Sequence, residues 1–388
     1  MIDIEKIRAE TPACENIIHF NNAGAALMPE PVFAALISHL ELERDIGGYA
    51  AAERASEELH AFYTEFAALL NAEPDEIAYV ENATRAWDMA FYGLQLQAGD
   101  RVLTHASEYA SNFLALLQQS KRLGFAIDVA PSDASGQLDV AAMEAMITPR
   151  TRLIAITHVP SQGGLVNPAA AVGAVARKHN LVYLLDACQS AGQIDLDVQE
   201  IGCQILAGTG RKFLRGPRGT GFLYVAKHLH NDIEPPFIDL HSAEWTGLDS
   251  YEWAPGARRF ETWESFVAGK ISLARAVRYA REIGLPAIQQ RVTDLAASLR
   301  RELADVPGIT VRDLGKQLCG TVTLTKDGEP PDELARRLEG QGINVSVTGA
   351  PYAVLDLGAR GLDAVLRASV HYYNTDNEID RFIEVIRG

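Results

Sequence analysis

The chain predicts an α/β fold on a mostly parallel sheet, and three observations carry that reading. Short apolar runs recur between residues 76 and 225, helical periodicity fills the gaps, and the runs end in polar residues, namely His105, His158 and Asp186. Strands rich in Leu and β-branched residues, separated by helices, describe a sheet covered on both faces. Ligands of such sheets sit beyond the carboxyl ends of the strands, so the three polar ends mark one rim.

The strand-like runs, in order, are Ile77–Val80, Arg101–His105, Phe125–Val129, Leu153–Thr157, Leu181–Leu185, Gln204–Ala207 and Gly221–Val225. Apolar residues at three- and four-residue spacing predict helices between them, for instance over Asn112–Leu123 and Pro168–Lys178, with another over Arg85–Leu94. The Pro- and aromatic-rich stretch Glu234–Thr262 has little periodicity and predicts an irregular segment, followed by a long helical run from about Ser265 to Val306. From Gly308 the pattern reads strand, strand, helix, strand, strand, helix, a smaller α+β unit. The expected division is therefore 1–264 for an N-terminal segment and large domain, and 265–388 for the helical run and small domain. Asn374-Thr375-Asp376 with Glu378 predicts a capped start for the last helix.

Composition narrows the function. With 47% hydrophobic and 22% charged residues, the chain has ample apolar material for a sizeable core. A net charge of −16 and the lack of a clustered basic patch argue against nucleic acid or an anionic membrane as partner. The start, MIDIEKIRAE, carries charges where a signal peptide needs an apolar core, and no 18-residue apolar run follows, so a cytoplasmic location is expected. The four cysteines, Cys14, Cys188, Cys203 and Cys319, form no CxxC pair, and His179, His228, His230 and His241 lack ligand spacing with other donors. Neither a disulfide framework nor a metal site is expected.

The chemistry concentrates between Leu181 and Leu223. The apolar run Leu181-Val182-Tyr183-Leu184-Leu185 ends in Asp186, and Lys212 follows 26 residues later in a loop of small residues, Thr209-Gly210-Arg211-Lys212. A strand-end carboxylate and a loop lysine are what pyridoxal phosphate chemistry requires: the amine forms a Schiff base, and the carboxylate keeps the pyridine nitrogen protonated. Read without that chemistry, Asp186 is a helix N-cap, a role compatible with the first, and Lys212 is a surface residue. No strand is followed by GxGxxG, which sets aside a nicotinamide-binding fold.

Four blocks, DACQSAGQIDLDV, GTGRKFLRGPRGTGFLYV, RRFETWE and RASVHYYNTDNEIDRFI, stand in an order that resembles the class V pyridoxal phosphate enzymes. That group of aminotransferase (type I) fold includes cysteine desulfurases, selenocysteine lyases, isopenicillin N epimerase-like proteins and hercynylcysteine sulfoxide lyases. The resemblance runs from about His19 to Arg387. It implies a homodimer with shared active sites, a seven-stranded large-domain sheet, and Lys212 as both Schiff-base lysine and proton shuttle at the substrate Cα. It implies phosphate contacts from Ala83, Thr84, Thr209 and Arg211, although Thr84 also reads as a simple N-cap and Arg211 faces either the phosphate or a substrate anion. Tyr109 takes the place of the histidine stacked over the ring in desulfurases, which exchanges an imidazole for a phenol of ordinary pKa about 10. Cys188 supports the opposite ring face, Gln189 bonds the 3′ oxygen, and Ser161 replaces the asparagine usual near that oxygen. Arg367 grips the substrate carboxylate, Asn22, Ala23 and Gly24 line the substrate pocket, and Thr262 reaches the phosphate of the neighbouring subunit, in a block that lacks the usual Gly-Thr.

One departure bears on the reaction. Desulfurases carry a persulfide-accepting cysteine on the loop before the carboxylate arginine, and here that region, TGAPYAVLDLGARGLDAVL, has none. The resemblance therefore implies a Cβ–S lyase of the sulfoxide-lyase kind, with transamination or epimerisation as the alternative and a non-catalytic sulfur-assembly partner as a third reading.

Overall fold

The computed structural model describes residues 2–388, so the first residue of MIDIEKIRAE lies outside the described residues. Its main sheet uses seven strands: β1 (Ile77–Val80), β2 (Arg101–His105), β3 (Ala126–Ala130), β4 (Thr151–Thr157), β5 (Val182–Asp186), β6 (Ile205–Thr209) and β7 (Gly221–Val225). Their spatial order is β1-β7-β6-β5-β4-β2-β3. β7 runs antiparallel to β1 and β6, and the remaining neighbours are parallel.

The near-continuous apolar strands follow from burial on both faces. Along β5, Tyr183 and Leu185 join one core with Leu103, Ile154 and Leu206, under the helices Ser56–Leu70, Ala169–His179 and Val267–Ile283. Leu184, between them, points into a second core with Val102, Leu153 and Ile205, under the helices Ala83–Phe91 and Ala110–Leu123. The helix Ala169–His179 lies so close to the turn at Ile201 that a Cβ on Gly173 would sit 1.7 Å from the Ile201 carbonyl oxygen. The strand order reverses between β4 and β2, and such a reversal opens a crevice beyond the strand ends.

A second, four-stranded antiparallel sheet orders Ile309–Val311, Thr321–Lys326, Ala364–Ser369 and Ser346–Gly349. The helices Leu285–Ala304, Pro331–Glu339 and Asp376–Arg387 cover it through Leu299, Leu303, Leu338, Phe382 and Ile386. Thr375 caps the last of these in a reciprocal box with Glu378, at 3.3 Å and 3.1 Å. The N-terminal segment ties into this layer: Ile18–His19 pairs with Ile343–Asn344, and Asn21 bridges Ser369.

Two expectations from the sequence need correction. The run from Ser265 to Val306 is two helices, Val267–Ile283 and Leu285–Ala304, broken at Gly284, whose φ of 97° no helix accepts. The stretch 234–262 is not wholly irregular, because Ala243–Gly247 and Ser250–Trp253 form an antiparallel hairpin and Gly256–Phe260 a 3₁₀ turn. The hairpin lacks an apolar period because it packs little against the chain: Trp245 is 72% and Leu248 98% exposed. Among the described residues, no helix is long and apolar enough to cross a membrane.

Candidate active site

Where the ends of β4, β5 and β6 meet the start of the helix Ala83–Phe91 there is a cavity of about 160 Å³. Asp186, the last residue of β5, is buried at its floor. The Cys188 amide donates to its Oδ1 and the Asn112 side-chain amide to its Oδ2, both at 2.8 Å. Burial pushes this carboxyl up, and the donors together with the Lys212 charge act against that.

Lys212 enters the cavity from the loop after β6. The loop is tight: the Gly210 amide bonds the Thr220 carbonyl at 3.0 Å and the Gly216 amide bonds the Gly210 carbonyl at 2.8 Å. A Cβ at Gly210 would stand 2.4 Å from the Thr220 hydroxyl, so only glycine suits the position before Arg211. The Lys212 amine is buried and donates to Cys188 Sγ at 3.2 Å. Burial lowers its pKa from 10.5; Cys188 opposes this and the Arg211 charge adds to it. The neutral amine is the nucleophile. Uptake of a pyridoxal aldehyde by cofactor-free protein should therefore speed up with pH and level off below 10.5, followed by stopped-flow absorbance. A rise continuing past that value would contradict the assigned environment.

Ala83 and Thr84 open their helix at the cavity wall. Asn82 spends its side chain on the Arg85 amide at 2.9 Å, which explains a helix start two residues earlier than expected. The amides of Ala83 and Thr84 have no intrahelical acceptor and face a cavity, an arrangement that favours an anion. Thr209 and Gly219 line the same cavity.

Arg211 also lines it, and its Nη1 donates to the Gly24 carbonyl at 2.9 Å, while the Ala26 amide bonds the Arg211 carbonyl at 2.9 Å. The N-terminal loop is thus clamped to the lysine loop. Gln189 donates to the Ala23 carbonyl at 3.0 Å, and its Oε1 is buried without a partner. Asn22 is spent within the fold, donating to the His19 and Ser369 carbonyls and accepting from Tyr373. It does not line the cavity, and Ala23 and Gly24 meet the site through their carbonyls.

Tyr109 and Ser161 line the cavity, and the Ser161 carbonyl accepts from Arg367 Nη1 at 2.7 Å. Arg367 is buried, with its Nε lacking a partner. Burial and then the neighbouring Arg211 charge weaken its hold on a proton. Such a guanidinium suits an incoming carboxylate. Thr262 lies apart, its hydroxyl donating to the Glu264 carbonyl at 3.2 Å, beside a groove lined by Tyr49, Trp263 and Phe266.

Sequence reasoning passed over Asn112 and Thr157, both of which line the cavity, and Glu108, bonded to both. Thr157 stands opposite Asp186 across β4 and β5, a signal available once those two strands are paired. The buried carboxylate, the recessed lysine, the free helix amides and the orphaned Gln189 oxygen together fit pyridoxal phosphate. Among the described residues no cluster of potential metal ligands occurs.

The model of the family described as Aminotransferase class-V matches residues 18–382. A "Probable cysteine desulfurase" of Xylella fastidiosa (strain 9a5c) is 31% identical over a 400-residue alignment, covering 99% of this chain and 95% of the relative. A protein of the same description from Pyrococcus abyssi is 28% identical, covering 98% and 96%. The apo cysteine desulfurase of Thermococcus onnurineus NA1 superposes with a TM-score of 0.93 at 27% identity, covering 100% of this chain and 98% of that one. The cystine C–S lyase C-DES, solved with cysteine persulfide, shares the fold at a TM-score of 0.88 and 24% identity, with 97% and 99% covered.

Proposed function

This chain belongs to the class V aminotransferase family of pyridoxal phosphate-dependent enzymes that act on amino acids, and from that premise we propose that it cleaves a Cβ–S bond by β-elimination. Pyridoxal phosphate, when bound, supplies the electron sink that makes the Cα proton removable. The chain's own residues do the rest. Ala83, Thr84 and Thr209 would hold the phosphate and Asp186 the ring nitrogen, and Arg211 adds a fixed charge at the cavity wall. Arg367 binds the substrate carboxylate, and Lys212, held recessed and readily neutral, moves the proton at Cα. The sulfur group leaves from Cβ as a thiol, and water converts the remaining three-carbon fragment to pyruvate and ammonium.

The observation that carries this reading is where the thiols lie. The relatives' descriptions point to desulfurases, whose persulfide route needs an accessible thiolate. The loop before Arg367 supplies none. Cys319 is buried against Val159 and Val166, and its thiol is pushed up by burial. Cys188 is half-buried and lines the cavity, but burial pushes its thiol up against the opposing Lys212 charge and it is bonded to the Lys212 amine. A shared active site in a homodimer fits the exposed apolar surface at Trp245, Leu248 and Trp263.

Turnover of S-substituted cysteines should give pyruvate, ammonia and the free thiol in equal amounts, measured by lactate dehydrogenase coupling and thiol titration. Alanine as the amino-acid product, or inversion at Cα without release of sulfur, would overturn the reading.

A further inference from the structure

Glu108 takes no part in the chemistry above, yet it is buried beside the site, between the end of β2 and the first turn of the helix Ala110–Leu123. Its Oε1 accepts from the Tyr109 amide at 2.9 Å, from the Asn112 side-chain amide at 2.9 Å and from the Thr157 hydroxyl. Its Oε2 accepts from the Thr104 hydroxyl at 3.1 Å. The same Asn112 nitrogen donates to Asp186 Oδ2 at 2.8 Å. One NH₂ group has two hydrogens, and each goes to a buried carboxyl. The Tyr109 amide is also within 3.1 Å of Thr157 Oγ1, and Thr157 pairs with Asp186 in the sheet.

We infer that Glu108 is a positioning residue for the cofactor site: it holds the backbone at Tyr109 and, through Asn112, aims the Asp186 carboxylate. Two cavity residues on different elements, the start of a helix and the end of β5, are thereby tied to one side chain. A carboxyl placed this deep is costly unless it is bonded, and every bond it makes goes to the strands and helix that frame the cavity. Burial pushes Glu108 up to about 7, so it holds a proton more readily than an ordinary carboxyl; the ionisable groups facing it are Asp186 and Tyr183, both on β5. Glutamine keeps the geometry, because its oxygen accepts from Tyr109, Asn112 and Thr157 and its amide, in the place of Oε2, donates to Thr104.

The inference rests on the pyridoxal phosphate reading, and the test separates the two. Cofactor-free wild type, Glu108→Ala, Glu108→Gln and Asn112→Ala are titrated with pyridoxal phosphate, and the visible absorbance of the bound cofactor is recorded across pH. Glu108→Ala should bind about tenfold or more weakly, the loss expected for a hydrogen bond to a charged group, with a shifted visible band or pH profile. Glu108→Gln should stay within about threefold of wild type. Asn112→Ala should reproduce the alanine effect, and the double variant should lose less than the sum of the two. Should Glu108→Ala fail to fold, Asn112→Ala against Glu108→Gln carries the same test. Glu108→Ala matching wild type in affinity and spectrum, or Glu108→Gln as impaired as Glu108→Ala, overturns the inference. Wild type that takes up no pyridoxal phosphate overturns the cofactor reading instead.

Discussion

Lys212→Ala is expected to abolish the covalent link to pyridoxal phosphate and to cut turnover by about 10³-fold or more, since one side chain supplies both the Schiff-base amine and the proton transfer. The protein should still fold, because Lys212 makes a single side-chain hydrogen bond, to Cys188 Sγ, and the loop is held by backbone bonds around Gly210 and Gly216. The variant's cofactor should dialyse away, and its visible band should move to that of free aldehyde. In wild type, borohydride reduction followed by peptide mapping should place the label on Lys212. A label on another lysine contradicts the assignment.

Arg367→Ala should lose about 2–5 kcal/mol of binding free energy, read from the fall in kcat/KM and mainly through KM, because the substrate carboxylate would enter a buried site without its counter-charge. Arg367 is bonded to the Ser161 carbonyl and leaves its Nε unpartnered, so its removal strands one carbonyl and breaks no ion pair. The cofactor spectrum should be unchanged, which distinguishes lost substrate binding from a damaged site. Steady-state kinetics with unchanged KM would sink this role.

The parallel sheet was legible because β2, β4, β5 and β6 are short apolar runs with polar ends, and burial on both faces leaves no other pattern. Asp186 and Lys212 were legible for the same reason: each stands at or just beyond the carboxyl end of such a strand, on neighbouring strands β5 and β6. The network of Glu108, Asn112 and Thr157 was not, since it depends on the β4–β5 register and on which face of a helix turns inward. The break at Gly284 was hidden because apolar residues keep their helical spacing on both sides of it. The hairpin from Ala243 to Trp253 was missed because Trp245 and Tyr251 face outward, where alternation has no core to mirror.

The central claim is that this site releases sulfur without storing it on the chain. Intact-protein and peptide mass spectrometry after incubation with cysteine or an S-conjugate tests it directly. No sulfane-sulfur adduct should accumulate on Cys14, Cys188, Cys203 or Cys319 while keto acid is formed. A +32 Da adduct on Cys188 or Cys319, about the mass of one sulfur atom, that forms with cysteine and turns over with a thiol acceptor would contradict the account and establish a persulfide-forming desulfurase.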